Sequence, residues 1–219
     1  MRFQNRSEAG RFLARILEKY KDCPDVLVLA LPRGGVPVGY EVARALNAAL
    51  DVFIVRKLGV PGHEELAMGA IASSGIRELN TSVIRQLSIP QSAIEQAVER
   101  ELEELQRRAQ LYRGDKPAPD ISGRTVILVD DGLATGSTMR VAIAALRPQN
   151  PAKIVVAIPT APAETCRELA NEADEVVCAA TPEPFYAVGL WYEDFNQTTD
   201  AEVTELIRRA AQHEGISSC

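Results

Sequence analysis

Two adjacent carboxylates, followed by small hydroxyl and glycine residues, form the most distinctive stretch of the chain, VILVDDGLATGSTM, residues 126–139. Asp130 and Asp131 follow an apolar run of the kind found in strands buried on both faces. The turn 132–138 leads into a helix-forming stretch that stops near Pro148. Amides at a helix start favour phosphate, whereas carboxylates repel it. The carboxylates and the amides can bind one ligand if its hydroxyls or a metal contact the aspartates and its phosphate contacts the amides. A ribose 5-phosphate has this layout.

The acidic pair alone is also typical of a solvated turn with a capped helix after it. The whole order, however, resembles the phosphoribosyl diphosphate (PRPP) signature of the type I phosphoribosyltransferases. The resemblance implies that Asp130 and Asp131 hold the ribose hydroxyls, support positive charge at the anomeric carbon and bind Mg²⁺. It also implies that backbone amides and hydroxyls of the turn bind the 5-phosphate. The residues of this phosphate-binding turn are Ala134, Thr135, Gly136, Ser137 and Thr138.

A second turn, LPRGGVPVG at 31–39, also follows an apolar run and precedes a helix-forming stretch, but carries a cation, Arg33, and no carboxylate. Gly34 and Gly35 allow backbone torsions closed to other residues. An exposed arginine at a helix start is common, but its pairing with the later motif favours an anion site. The stretch resembles the pyrophosphate-binding loop of these transferases. That family often has a non-proline cis peptide here, so the bond entering Arg33 or Gly34 is the candidate.

Two further cations, Arg56 and Lys57, end the second predicted strand, 51–56. A diphosphate leaving group needs cations, usually with magnesium, to neutralise its charge as the bond breaks. A solvated strand end is the alternative. The stretch resembles the mobile loop of adenine phosphoribosyltransferases, which implies contact with pyrophosphate and closure of 59–65 over the site. Candidates in this loop for a group acting on the acceptor are His63, Glu64 and Glu65.

Less specific features of the sequence bear on the identity of the acceptor. Hypoxanthine-guanine members of the family carry an aspartate at the position of Ala134, so this chain is closer to the adenine-type pattern. An aromatic-rich stretch at 182–200 is either a packed flap or a surface on which a flat base stacks, with Trp191 as the candidate. The run from Arg56 and Lys57 through Glu65 and the segment WYEDF, residues 191–195, together resemble a group of stand-alone bacterial phosphoribosyltransferases of unassigned acceptor.

Alternating apolar strands and amphipathic helices must position these turns. Strands are predicted at 25–31, 51–56, 125–129, 153–158 and 175–180. This alternation predicts an α/β fold, a doubly wound, mainly parallel sheet flanked by helices, with ligands beyond the carboxyl ends of the strands. We expect a single domain over 1–219, with a core at about 25–180 and a small hood from about 1–20 and 181–219.

Local signals add detail to this fold. The pattern around Gly75 predicts a hairpin of strands 67–73 and 76–80. Ser7 is the expected cap of an opening helix, and Ser88 with Gln91 has the spacing of a capping box before a helix that reaches Ala109. The other face of that helix is heavily charged, which is typical of a solvated surface.

Composition excludes several classes of function. The formal net charge of −6 argues against non-specific nucleic-acid binding. No apolar stretch is long enough to span a bilayer and no secretory signal is present, so we expect a cytoplasmic protein with no membrane partner. The four cysteines lack zinc-site spacing and are expected to be reduced, mostly structural thiols. Two histidines and no Gly-x-Ser-x-Gly elbow exclude a multi-histidine metal site and disfavour a serine triad.

The sequence therefore predicts an enzyme of nucleotide metabolism. The expected reaction transfers the 5-phosphoribosyl group of PRPP to a nucleobase-like nitrogen acceptor, with Mg²⁺ as cofactor and release of pyrophosphate. Two alternatives stay open: a regulatory protein that binds PRPP without catalysis, and a sugar-phosphate or nucleotide hydrolase on the same sheet. The resemblance also implies a homodimer.

Overall fold

A five-stranded parallel sheet forms the centre of the molecule, whose computed structural model describes residues 1–72, 75 and 77–217, with only the backbone of 64, 65, 78 and 213–217. Its strands are β1 (Val26–Ala30), β2 (Ala49–Val52), β6 (Thr125–Val129), β7 (Lys153–Thr160) and β8 (Glu175–Ala180). They lie in the order β2-β1-β6-β7-β8, so the winding direction reverses between β1 and β6. In a doubly wound sheet the ligand crevice lies at this switch point. The predicted fold class is confirmed.

Alternate residues of the strands face two layers of helices. Val26 and Val28 pack in one buried cluster with α1 (Arg6–Ile16) and α2 (Gly35–Leu46). Leu27 and Leu29 pack in a second cluster with α5 (Ser137–Leu146) and α6 (Ala163–Leu169). This period of two lets one apolar run bury both faces of the sheet.

A second, antiparallel sheet contains β3 (Val55–Val60), β4 (His63–Ala72) and β5 (Arg77–Leu79). The predicted hairpin around Gly75 is confirmed by the pairing of β4 with β5, although residues 73, 74 and 76 lie outside the described residues. Two helices follow, α3 (Thr81–Gln86) and α4 (Gln91–Arg113), and α4 packs on β3 and β4.

The predicted strand 51–56 is wrong, because two strands occupy this region. The parallel strand β2 ends at Val52, and the antiparallel strand β3 begins at Val55. Phe53 and Ile54, both buried, link them, and each packs in a different core cluster. The chain thus leaves the first sheet and enters the second within one uninterrupted apolar run.

Two predicted helix caps are also wrong. Asn5, rather than Ser7, caps α1 by accepting a hydrogen bond from the amide of Glu8. Helix α4 begins after Pro90, and Ser88 lies outside it with a left-handed backbone, φ +51°.

The terminal segments meet beside the carboxyl end of β6. The amide of Phe3 donates to the carbonyl of Trp191 at 2.8 Å, and the amide of Glu193 donates to the carbonyl of Phe3 at 2.9 Å. The C-terminal helix α7 (Asp200–Ser217), which the sequence reading did not predict, then packs on α2 and α4. Among the described residues, no helix is both long and apolar enough to cross a membrane.

The expectation of reduced thiols is wrong for one pair of cysteines. Cys166 in α6 and Cys178 in β8 form a disulfide bond, with their Cα atoms 6.6 Å apart. Their spacing in sequence gave no sign of it, because α6 brings them together only by packing against β8. Cys23 is free and half-buried, and Cys219 lies outside the described residues.

Candidate active site

The glycine turn at 31–39 lies in contact with the acidic pair at the switch point between β1 and β6. A Cβ atom on Gly34 would lie 2.0 Å from Oδ2 of Asp131, and one on Gly35 would lie 2.7 Å from the carbonyl oxygen of Val129. Only glycine permits this approach. The peptide bond between Pro32 and Arg33 is cis, at one of the two bonds named from the family resemblance. The glycine turn and the acidic pair therefore form a single unit.

The acidic pair is buried and electrostatically constrained. The amide of Asp131 donates to Oδ1 of Asp130 at 2.8 Å. Burial, and next the charge of Asp131, raises the pKa of Asp130 well above its ordinary value. Burial also raises the pKa of Asp131, against the opposing effect of a nearby guanidinium. The carboxyl oxygens thus lie in a poorly solvated position, where hydrogen bonds from ligand hydroxyls would stabilise their charged form.

That guanidinium belongs to Arg6, which the sequence reading did not single out. Its Nε atom donates to Oδ2 of Asp131 at 2.7 Å, and its Nη1 atom donates to the carbonyl of Asn196 at 2.6 Å. The same group lies 4.0 Å from the centre of the Phe195 ring. Tyr192 completes the contact by donating its hydroxyl to the backbone carbonyl of Asp131. No local pattern could reveal Arg6, because 125 residues separate it from Asp131.

The predicted phosphate-binding turn, 134–138, is exposed except at Gly136 and precedes α5. Gly136 adopts a left-handed backbone, φ +70°, immediately before the helix begins at Ser137. The carbonyl of Ala134 accepts a hydrogen bond from Thr165 at 2.9 Å, while the side chains of Ala134, Thr135, Ser137 and Thr138 face solvent. The first amides of a helix have no partner within it, so this turn presents donors toward an anion.

A cavity of about 1090 Å³ adjoins that turn. It lies between the β3–β4 hairpin, α4 and the start of α5, where Pro32, Ser137 and Thr138 line it. The cations Arg56 and Lys57 also line it. Because β3 was not predicted, their placement differs from the prediction: they lie within an antiparallel strand, and Arg56 forms an ion pair with Glu101 at 2.7 Å.

Two arginines of α4 line the same cavity, although the sequence reading assigned the charged face of that helix to solvent. Arg108 forms an ion pair with Glu104 at 2.6 Å, while Arg100 has no ion-pair partner among the described side chains. Among the side chains that the structure describes, a lysine and three arginines therefore share this cavity with one carboxylate, that of Glu101. The cavity is suited to a highly charged anion.

The remaining predicted residues lie around this centre. Arg33 faces α7, with Nη1 at 3.8 Å from Oδ1 of Asp200. The predicted mobile loop is the β3–β4 hairpin, in which His63 is exposed, while the side chains of Glu64 and Glu65 lie outside the described set.

Trp191 belongs to the segment that packs against the acidic pair and Gly132. Its ring stacks on that of Phe185, with centroids 6.2 Å apart, and its Nε1 atom is buried without a hydrogen-bond partner in the described part of the chain. Val188, three residues before Trp191, packs tightly on Gly132. A Cβ atom added to Gly132 would lie 2.3 Å from Cγ1 of Val188.

Comparisons with known proteins bear on the family and the fold of this chain. A family profile described as the phosphoribosyl transferase domain matches residues 4–188. A Mycobacterium tuberculosis protein, named provisionally as a phosphoribosyl transferase, is 46% identical over 208 residues, which cover 95% of this chain and 47% of that protein. The chain thus spans about half the length of this relative. A crystal structure of a Thermus thermophilus protein has a TM-score of 0.86 and 41% identity, covering 95% of this chain and 99% of that one.

Proposed function

Since the chain belongs to the phosphoribosyl transferase domain family, we propose that it transfers the 5-phosphoribosyl group of PRPP to a nucleobase-like nitrogen acceptor. The observation that carries the proposal is the convergence of an exposed helix-start turn, a buried acidic pair and a cationic cavity at one end of the sheet. These three features match the phosphate, the ribose hydroxyls and the diphosphate of one donor molecule.

The reaction breaks the bond between the anomeric carbon and the diphosphate oxygen and forms a bond from that carbon to the acceptor nitrogen. The phosphate-binding turn, 134–138, holds the 5-phosphate through amides and hydroxyls. Asp130 and Asp131 accept hydrogen bonds from the ribose hydroxyls and offset positive charge at the anomeric carbon. The protein stabilises charge in the transition state and forms no covalent intermediate.

The diphosphate leaves toward cations. Lys57 and Arg56 receive it in the cavity, with Arg33, Gly34 and Gly35 beside the cavity wall at Pro32, and Arg100 and Arg108 extend the cationic surface. Their charge stabilises the leaving group as electrons move onto it. The β3–β4 hairpin bounds this cavity and keeps water from the anomeric carbon when the donor is bound.

Mg²⁺ suits this donor, and Asp130 and Asp131 are the residues that would hold it. The described side chains include no cluster of three or more His, Cys, Asp or Glu residues fit for a metal, so the donor and water would supply the other ligands. Bound there, the ion would neutralise charge on the diphosphate.

The acceptor belongs on the side covered by the terminal segments, which we assign as the hood. Trp191 and Phe185 offer stacked rings for a flat heterocycle. The cytoplasmic location expected from the sequence and the homodimer implied by the family resemblance are part of this proposal.

Phosphorus NMR of PRPP, Mg²⁺ and the protein, with pooled purines, pyrimidines and orotate added partway through, tests the proposal. We expect pyrophosphate only after the pool is added, and none with the double variant Asp130→Asn, Asp131→Asn. Ribose 5-phosphate released before the pool would instead indicate a hydrolase. Donor signals that broaden without product would indicate a PRPP-binding regulator.

A further inference from the structure

Arg6 is the cation that lies against the acidic pair. Its ion pair with Asp131 is largely shielded from water, since the two side chains are only 12% and 14% exposed. A charge removed from water must be paired and hydrogen-bonded, and this guanidinium meets that condition for the carboxylate. Oδ2 of Asp131 is fixed by Arg6, while the amide of Asp131 is fixed by Asp130.

Three contacts hold Arg6 in this position. Nη1 reaches the carbonyl of Asn196, the guanidinium lies over the ring of Phe195, and that ring stacks on Tyr192 with centroids 5.0 Å apart. Tyr192, in turn, donates to the backbone of Asp131. The carboxylate is therefore oriented from its side chain and from its backbone by one aromatic and cationic cluster.

We propose that Arg6 is the positioning residue for the ribose-binding carboxylate, and that through it the terminal segments determine how well the site distinguishes a phosphoribosyl group from phosphate alone. The inference rests on the proposed function. Arg6 acts through Asp131, with which its guanidinium forms the ion pair.

Two probes separate the ribose contacts from the phosphate contacts. Ribose 5-phosphate contacts the acidic pair as well as the anion-binding groups, whereas inorganic phosphate can occupy the phosphate-binding turn or the cationic cavity but has no ribose hydroxyls for the acidic pair. The dissociation constant of phosphate divided by that of ribose 5-phosphate, both measured by calorimetry, isolates the contribution of the carboxylates. This quotient is the ratio used below. A general loss of stability would weaken both ligands together and leave the ratio unchanged.

Arg6→Gln is the first variant. We expect its affinity for ribose 5-phosphate to fall about tenfold or more, with phosphate affinity within about twofold of the wild type. Arg11→Gln is the matched control on the same helix, because Arg11 pairs with Glu41 at 3.4 Å and is half exposed. In an Asp131→Asn background, Arg6→Gln should change the ratio by less than about twofold, since its effect passes through Asp131.

Arg6→Lys keeps the test valid if Arg6→Gln does not fold. Lysine keeps the charge but cannot bond Asp131 and Asn196 while lying flat on Phe195, so the ratio should fall several-fold. A wild-type ratio in either folded variant, or a rise in ribose 5-phosphate affinity, would overturn the role of Arg6 alone. If the wild-type protein itself does not prefer ribose 5-phosphate, the ribose assignment of the aspartates fails, and the inference fails with it.

Discussion

At the scale of single residues, burial of the acidic pair makes the stability of the fold depend on pH. Burial raises the pKa of Asp130 in the folded protein. At pH values between the ordinary pKa and the raised one, the folded protein therefore binds more protons than the unfolded chain. The free energy of unfolding therefore falls as the pH rises through that window. Asp130→Asn removes the ionisation but keeps an oxygen for the amide of Asp131.

We expect Asp130→Asn to melt about 2 °C or more above the wild type at pH 8, with the difference shrinking toward pH 4, while turnover is lost. Thermal unfolding monitored by circular dichroism across this range measures the difference. A constant difference at all pH values would show that Asp130 does not carry the raised pKa.

The close approach of Gly34 to Asp131 gives a second prediction at this scale. In Gly34→Ala the new methyl group would meet the carboxylate of Asp131, so we expect PRPP binding to be lost. Gly123→Ala is the control, because Gly123 has a left-handed backbone, φ +71°, but open space around it. That control should lose about 1 to 2 kcal/mol of stability and bind PRPP normally. Calorimetric titration with PRPP distinguishes the two; normal binding by Gly34→Ala would contradict the fit.

Trp191 gives a third prediction. We expect Trp191→Ala to weaken the acceptor more than the donor, because the ring stacks on Phe185 in the terminal segment, away from the cationic cavity. Steady-state kinetics with the acceptor identified by NMR would give both KM values. A larger effect on PRPP would place the aromatic cluster at the donor.

At the scale of elements, α4 contributes cations that sequence periodicity assigns to solvent. Arg100 lines the cavity, whereas Arg107, on the same helix, pairs with Glu104 at 2.8 Å and does not line it. We expect Arg100→Gln to lower the affinity for PRPP about three- to tenfold, with ribose 5-phosphate affinity unchanged because that ligand lacks the diphosphate. Arg107→Gln should match the wild type for both ligands in the same titrations. Equal losses in both variants would mean that only overall charge matters.

The elements also show where sequence reasoning succeeds and where it stops. Strands β6 and β8 were predicted to the residue, because each is a short apolar run between turn residues. The break at Phe53 and Ile54 was missed, because both residues are buried and the change of sheet leaves no polar residue in the run. Helix α7 did have a signal: Thr199 and Glu202 form a reciprocal capping box.

The site divides in the same way. The sequence singles out the acidic pair and the turn 134–138 because their residues are contiguous. It does not single out Arg6 and Arg100, because their positions beside the pair and in the cavity arise only from packing between distant segments. A helix face can be charged and still line a site when a neighbouring hairpin folds over it, as β3 and β4 do over α4.

At the scale of the whole molecule, one buried cluster joins the central sheet to the second sheet. Val28 of β1, Leu58 of β3, Leu105 of α4 and Val203 of α7 all belong to it. A largely buried ion pair adds a further link, since Nε of Arg113 at the end of α4 contacts Asp51 in β2 at 2.8 Å. A shared core of this kind should not unfold in parts.

We therefore expect a single calorimetric transition, with equal calorimetric and van't Hoff enthalpies, as for one domain. Arg113→Ala leaves the carboxylate of Asp51 without this partner, so it should lower the free energy of unfolding by about 3 kcal/mol and still give one transition. Arg107 is exposed, so Arg107→Ala should leave the midpoint of thermal unfolding within about 1 °C of the wild type. If Arg113→Ala instead separates a low-temperature transition, the hairpin and α4 form a unit of their own. The cationic cavity would then lie between two independently stable parts, and its closure over the donor would depend on how they dock.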